Sequence, residues 1–125
     1  MIPAELKYTE THEWAMEKGN NIIRVGVTDH AQAELGDIVY VNLPEIGAEA
    51  QKGEEIVEVE SVKAVAQIVA PVSGKVIAVN EALEDDPALL NSDCYGEGWI
   101  FEVEVSDPSE LNDLLDAKKY GEIAE

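Results

Sequence analysis

Apolar positions along this chain fall mostly in short runs with a period of two, broken at intervals by Gly, Asn and Pro. Such a pattern predicts many short strands and little helix, and hence a small β sandwich or flattened barrel with short helices at its edges. Val57 and Val59 alternate with Glu58 and Glu60, and Ala64, Ala66 and Ile68 form a second alternating set. Together they predict a hairpin that buries one face of each strand and carries Lys63 at its tip. Ser61 to Ala64 contains no Gly or Asn to supply positive φ, so a type I turn is expected rather than a primed one.

Other segments extend the sheet. Trp14 to Glu17 and Ile22 to Val27 read as strands joined by Lys18-Gly19-Asn20-Asn21, whose Gly and Asn suit a tight reversal. Asp29 is expected to cap a short helix, with Gln32 at its third position and Gly36 at its end. Ile38 to Leu43 is a strand closed by Pro44 and Gly47, and Lys52-Gly53 turns the chain toward Lys63. After a turn at Pro71 to Gly74, strands are expected at Lys75 to Asn80 and Trp99 to Val105, with Asp86 and Pro87 opening a helical turn between them. Asp107-Pro108-Ser109-Glu110 is expected to start the one long helix, with Leu111, Leu114 and Leu115 as its apolar stripe and Gly121 as its stop.

Composition narrows the partners. At 125 residues the chain is expected to be one domain, spanning 1–125, that buries roughly two-thirds of its surface on folding. With 27 acidic against 8 basic residues, the formal charge is -19, which makes nucleic acid and anionic membranes poor partners. The same charge serves solubility or steering toward basic docking sites. A single cysteine, Cys94, precludes an internal disulfide and fits a reducing compartment. Met1 to Lys7 has the character of neither a signal nor a transit peptide, and no segment approaches a membrane span, so a cytoplasmic location is expected.

Lys63 is the only basic residue between Lys52 and Lys75, and by itself it reads as a solvated lysine on a turn. Its neighbours add more. Glu60-Ser61-Val62-Lys63-Ala64, followed by Ala70-Pro71-Val72-Ser73-Gly74, resembles the lipoyl-attachment hairpin of lipoate carrier domains. Further words extend the resemblance over nearly the whole chain: Thr11-His12-Glu13-Trp14, Thr28-Asp29-His30-Ala31-Gln32, Leu35-Gly36-Asp37-Ile38-Val39, Leu43-Pro44-Glu45, Gly96-Glu97-Gly98-Trp99 and Leu114-Leu115. With these, the chain resembles the H proteins of glycine cleavage systems.

That resemblance implies a mainly β fold of the lipoyl/biotinyl-carrier type with a C-terminal helix, and a monomeric, non-catalytic carrier. It implies lipoic acid in amide linkage to Lys63, with Glu60, Ser61, Val62 and Ala64 shaping the tip and orienting a lipoate-attaching enzyme. The implied cycle carries an aminomethyl group from a pyridoxal-phosphate-dependent glycine decarboxylase to a tetrahydrofolate-dependent aminomethyltransferase, with reoxidation by dihydrolipoyl dehydrogenase. Thr11, Glu13 and Gln67 are the candidates to line a cleft for the arm.

Two positions depart from the family pattern. Val65-Ala66-Gln67 stands where a small residue, Ser and Asp are common, which removes a carboxylate and leaves open an H-like lipoate-binding protein serving sulfur oxidation or lipoyl relay. Cys94 stands where proline is usual, either as a small apolar substitute or as a thiol that exchanges with a disulfide. Two other classes compete. His12, His30 and Cys94 would serve an enzyme or metal site but show no recognised ligand spacing, and an unmodified acidic interaction module would leave Lys63 a free amine. Biotin carriers resemble Met-Lys-Met at the modified lysine, and 2-oxoacid dehydrogenase lipoyl domains more often have Asp before it, whereas here it is Val62-Lys63-Ala64.

Overall fold

The computed structural model describes residues 2–124. Nine strands run in the order β1 (Lys7–Tyr8), β2 (Glu13–Glu17), β3 (Ile22–Val27), β4 (Ile38–Asn42), β5 (Glu49–Ala50), β6 (Glu55–Ser61), β7 (Val65–Val69), β8 (Gly74–Val79) and β9 (Phe101–Val105) among the described residues. Short helices α1 (Asp29–Leu35), α2 (Ala82–Asp85) and α3 (Leu89–Ser92) and the C-terminal α4 (Ala117–Ala124) lie between or after them. The strands form a six-stranded sheet, β1-β2-β3-β9-β8-β5, and a three-stranded sheet, β4-β6-β7, paired antiparallel throughout. The result is a sandwich rather than a closed barrel.

The alternation read from the sequence decides which faces meet. Ile23, Val25 and Val27 from β3 and Phe101 and Val103 from β9 are buried with Val41, Val57, Val59 and Ile68 of the smaller sheet in one core cluster. Each such side chain removed from water contributes about 1.5–3 kcal/mol, which fixes the register because a one-residue slip would turn the whole set outward. Gly19, Asn20 and Asn21 take φ of 89°, 55° and 63°, as the β2–β3 reversal required.

Several local expectations are corrected. Thr28 rather than Asp29 caps α1, its hydroxyl accepting the Ala31 amide, while Asp29 becomes the first helical residue and accepts from Gln32 Nε2 at 2.7 Å. Gly36 ends α1 with φ 79°, as expected. Asp86 closes α2 instead of capping by its side chain, and α3 begins only at Leu89. The long helix is two pieces. Asp107 caps a 3₁₀ helix at Pro108–Asp113, Leu115 then pairs as an extended residue with Tyr8 through two 2.8 Å backbone hydrogen bonds, and α4 starts afresh and runs through Gly121. The reason is tertiary: β1 needs a partner on that side, and Leu115 supplies it. A second cluster of Leu6, Tyr8, Trp14 and Tyr120 holds α4 down, with the Tyr8 and Tyr120 rings stacked at 4.7 Å.

Candidate functional site

The β6–β7 hairpin ends in Lys63, which is exposed. Ser61 builds the turn. Its amide donates to Ala64 O at 2.8 Å, and its hydroxyl oxygen accepts the Ala64 amide at 3.0 Å and the Lys63 amide at 3.3 Å. None of residues 61–64 has positive φ, which excludes a primed turn as the composition indicated. The Val62 amide donates to Asp37 O at 3.0 Å and ties the tip to the connection between α1 and β4.

Gly36 on that connection gives the lysine room. A Cβ there would stand 3.3 Å from Lys63 Cε and 3.9 Å from Nζ, so the stem of Lys63 lies across a residue without a side chain. Among the described residues no carboxylate forms an ion pair with Lys63, whereas Lys18 and Lys52 are engaged by Glu102 and Asp113. The site therefore offers a solvent-facing primary amine on a two-stranded support, flanked by the small Ala64 and by Val62.

The other expected residues fall in two groups. Glu60, Ser61, Val62 and Ala64 surround the lysine at the tip. Gln67 projects from β7 on the outward face shared with Val65 and Val69, and its Nε2 donates to Glu58 Oε1 at 3.0 Å. Thr11 lines a cavity of about 290 Å³ with Thr9, Lys52, Val69 and Leu115, at the far end of β7 from Lys63. Glu13 is 1% exposed, and its carboxylate accepts from both Thr9 and Thr11 hydroxyls and, at 3.3 Å, from the Val69 amide. Burial raises the Glu13 pKa, against the lowering effect of those hydrogen bonds. The resemblance made Glu13 a candidate to line a cleft; the fold buries it as the link between the β1–β2 turn and β7. Val69 lies six positions along the chain from Lys63, roughly 20 Å at 3.3 Å per residue, and Val65, Gln67 and Val69 form an outward-facing track along that stretch.

His12 and His30, unrelated in sequence spacing, come together with ring centroids 4.4 Å apart. His12 Nδ1 lies 2.7 Å from the Tyr120 hydroxyl, which also meets the Thr28 hydroxyl at 2.7 Å, and His30 pairs with Glu34. Cys94 is instead a core residue whose carbonyl accepts from Trp14 Nε1, and no metal-binding group of three ligands occurs among the described residues. Burial pushes the Cys94 thiol up to about 11, so almost no thiolate forms near neutral pH and thiol exchange is disfavoured. Cys94→Ser is expected to cost about 1 kcal/mol for burying a hydroxyl, measured by urea unfolding.

Burial, then the neighbouring His30, holds His12 below the usual imidazole range, with Glu34 opposing. The unfolded chain therefore takes up this proton first, and the associated stability is present above about pH 6.5 and lost on acidification. Urea midpoints at pH 7.5 and 5.5 are expected to differ less in His12→Asn, because asparagine tolerates the local φ of 73° without titrating. An unchanged difference would remove His12 from the acid response.

Known proteins supply the remaining context. A family model described as Glycine cleavage H-protein matches residues 6–125. The chain is 53% identical over 124 residues to the glycine cleavage system H protein of Stenotrophomonas maltophilia (strain K279a), covering 99% of this chain and 95% of that one. It is 53% identical over 116 residues to the glycine cleavage system H protein of Thermotoga maritima, covering 93% of each. The crystal structure of a glycine cleavage system H protein from Mycobacterium marinum superposes with a TM-score of 0.88 at 40% identity, over 97% of both chains.

Proposed function

This chain belongs to the glycine cleavage H-protein family, and from that premise we propose that its lipoyl group is attached as an amide to Lys63. The observation that carries the reading is the exposed amine, without an ion pair among the described residues, held on a two-stranded hairpin over Gly36. Amide formation removes the positive charge, and with no ion pair at Lys63 among the described residues that loss strands none of their carboxylates. When bound, the lipoyl group supplies a strained disulfide that accepts the aminomethyl fragment of glycine and yields a dithiol on its release. The partners are the pyridoxal-phosphate-dependent glycine decarboxylase, the tetrahydrofolate-dependent aminomethyltransferase, dihydrolipoyl dehydrogenase and a lipoate-attaching enzyme. The catalytic groups belong to those partners, and the chain acts as a monomeric carrier domain in the cytoplasm.

Within the carrier, Ser61 and the Val62 amide fix the anchor, and the outward face of β7 guides the arm toward the Thr11-lined cavity. Thr11 then meets the cargo at the end of that track, its hydroxyl held in place by the buried Glu13 carboxylate. Gln67 lies on the track as a neutral amide. Replacing it by aspartate sets a carboxylate directly opposite Glu58, which is expected to lower stability by about 0.5 kcal/mol through like-charge repulsion, measured by urea unfolding at low ionic strength. No loss would mean that Glu58 moves away at no cost.

The attachment is tested by intact mass and peptide mapping after incubation with a lipoate ligase, lipoate and ATP. A gain of one lipoyl group on Lys63 supports the reading. An unmodified Lys63 beside a competent ligase overturns it.

A further inference from the structure

Six large hydrophobic side chains are exposed among the described residues, and four of them, Val39, Tyr40, Val62 and Val65, gather at the Lys63 end of the three-stranded sheet. Register explains how. Tyr40 stands opposite Glu60, and Glu60 opposite Val65, so the three form one cross-strand row on the outer face. The next outward row is polar throughout: Asn42, Glu58 and Gln67.

A bulge makes Tyr40 part of this face. Regular alternation from buried Ile38 would turn Tyr40 inward, but the register shifts between Ile38 and Tyr40, so Val39 and Tyr40 both face solvent at 52% and 50% exposure before Val41 returns to the core. The chain thus interrupts its ladder to set an aromatic ring beside the tip and next to Val65, one row away from the polar Asn42, Glu58 and Gln67. Isolated exposed hydrophobics need no explanation, whereas a cluster around a reactive amine marks a contact surface.

We propose that Tyr40, Val62 and Val65 form the docking clasp for the enzyme that acylates Lys63, and that the enzyme's complementary surface is apolar with a basic rim. This rests on lipoyl attachment at Lys63, as proposed above. The basic rim follows from Glu58 and Glu60 along the middle strand, Asp37 at the tip connection and the net charge of -19. The choice of occupant follows from reach. An enzyme acting on the bare amine must bring its active site within the four-carbon stem of the lysine, and so must touch the tip, while enzymes that use the far end of the arm stand farther off. In the attachment step Nζ gives up two protons to solvent, attacks the activated lipoyl carboxyl and displaces the activating group, which is AMP when a ligase has formed the adenylate.

The full-length unmodified chain, purified lipoate ligase, lipoate and ATP provide the test, with mass gain followed at varied chain concentration. Tyr40→Ser/Val65→Ser is expected to lower kcat/KM for the chain about tenfold through KM, with kcat at saturation and the urea midpoint unchanged. Tyr40→Phe in the wild-type background is expected to match wild type, since the ring rather than the hydroxyl makes the contact. Added salt is expected to raise KM further. A double variant acylated within twofold of wild type overturns the proposal, as does an unchanged acylation KM accompanied by weaker binding to glycine decarboxylase or by self-association lost in the variant. Absence of any mass gain on wild-type Lys63 would be a different failure, that of the attachment reading itself.

Discussion

Lys63→Arg is expected to lose lipoylation and carrier activity completely while its stability stays within about 0.5 kcal/mol of wild type. Arginine keeps the charge and a stem of similar length, but its guanidinium stays protonated and presents no amine nucleophile for the amide bond. Nothing in the fold depends on the lysine head, since it is exposed and has no ion pair among the described residues. The turn itself is held by the Ser61 hydroxyl and the Val62 amide, neither of which the substitution touches. Incubation with ligase, lipoate and ATP should leave the mass of the variant unchanged, with an unaltered urea midpoint. A lipoyl group appearing on another lysine in wild type, or persisting in the variant, would move the anchor away from the tip.

Gly74→Ala is expected to produce the largest change in stability, a loss of about 3 kcal/mol and a fall in Tm of roughly 10 °C. Gly74 begins β8 between two partners, Val105 of β9 on one side and Ala50 of β5 on the other. A Cβ at this position would stand 2.1 Å from the Glu104 carbonyl oxygen and 2.8 Å from Val103 Cγ2. The obstacle is backbone within a paired strand, so relief requires displacing β9, whose Phe101 and Val103 are fully buried in the core. Thermal unfolding of the two proteins measures this directly, and a shift below about 3 °C would show that β9 yields with little resistance.

The strands bordering the carrier site were legible in the residues because a half-buried strand writes its own period. Val57 and Val59 against Glu58 and Glu60 did so, as did Gly19-Asn20-Asn21 for the first reversal. Leu111, Leu114 and Leu115 misled for a complementary reason: spacings of three and four suit a helix, but a 3₁₀ turn followed by one extended residue also accommodates them. Strands of two residues, such as β1 and β5, are too short to carry a period at all. The cap of α1 shifted by one residue because Thr28 and Asp29 are both good caps, and Thr28 additionally satisfies the buried Tyr120 hydroxyl.

The sequence by itself determined the mainly β class, the hairpin, the turn without positive φ, and Lys63 as the isolated amine at its tip. Each depends on residues within a few positions of one another, where backbone sterics and alternation act directly. Only the tertiary structure decided that Gly36 lies beneath Lys63, that Glu13 is buried against Val69, that His12 meets His30, and that Tyr40 faces outward beside Glu60 and Val65. Those relations join segments distant along the chain, and they are chosen by which apolar faces close on the common core and by where a bulge resets the alternation, neither of which a local pattern records.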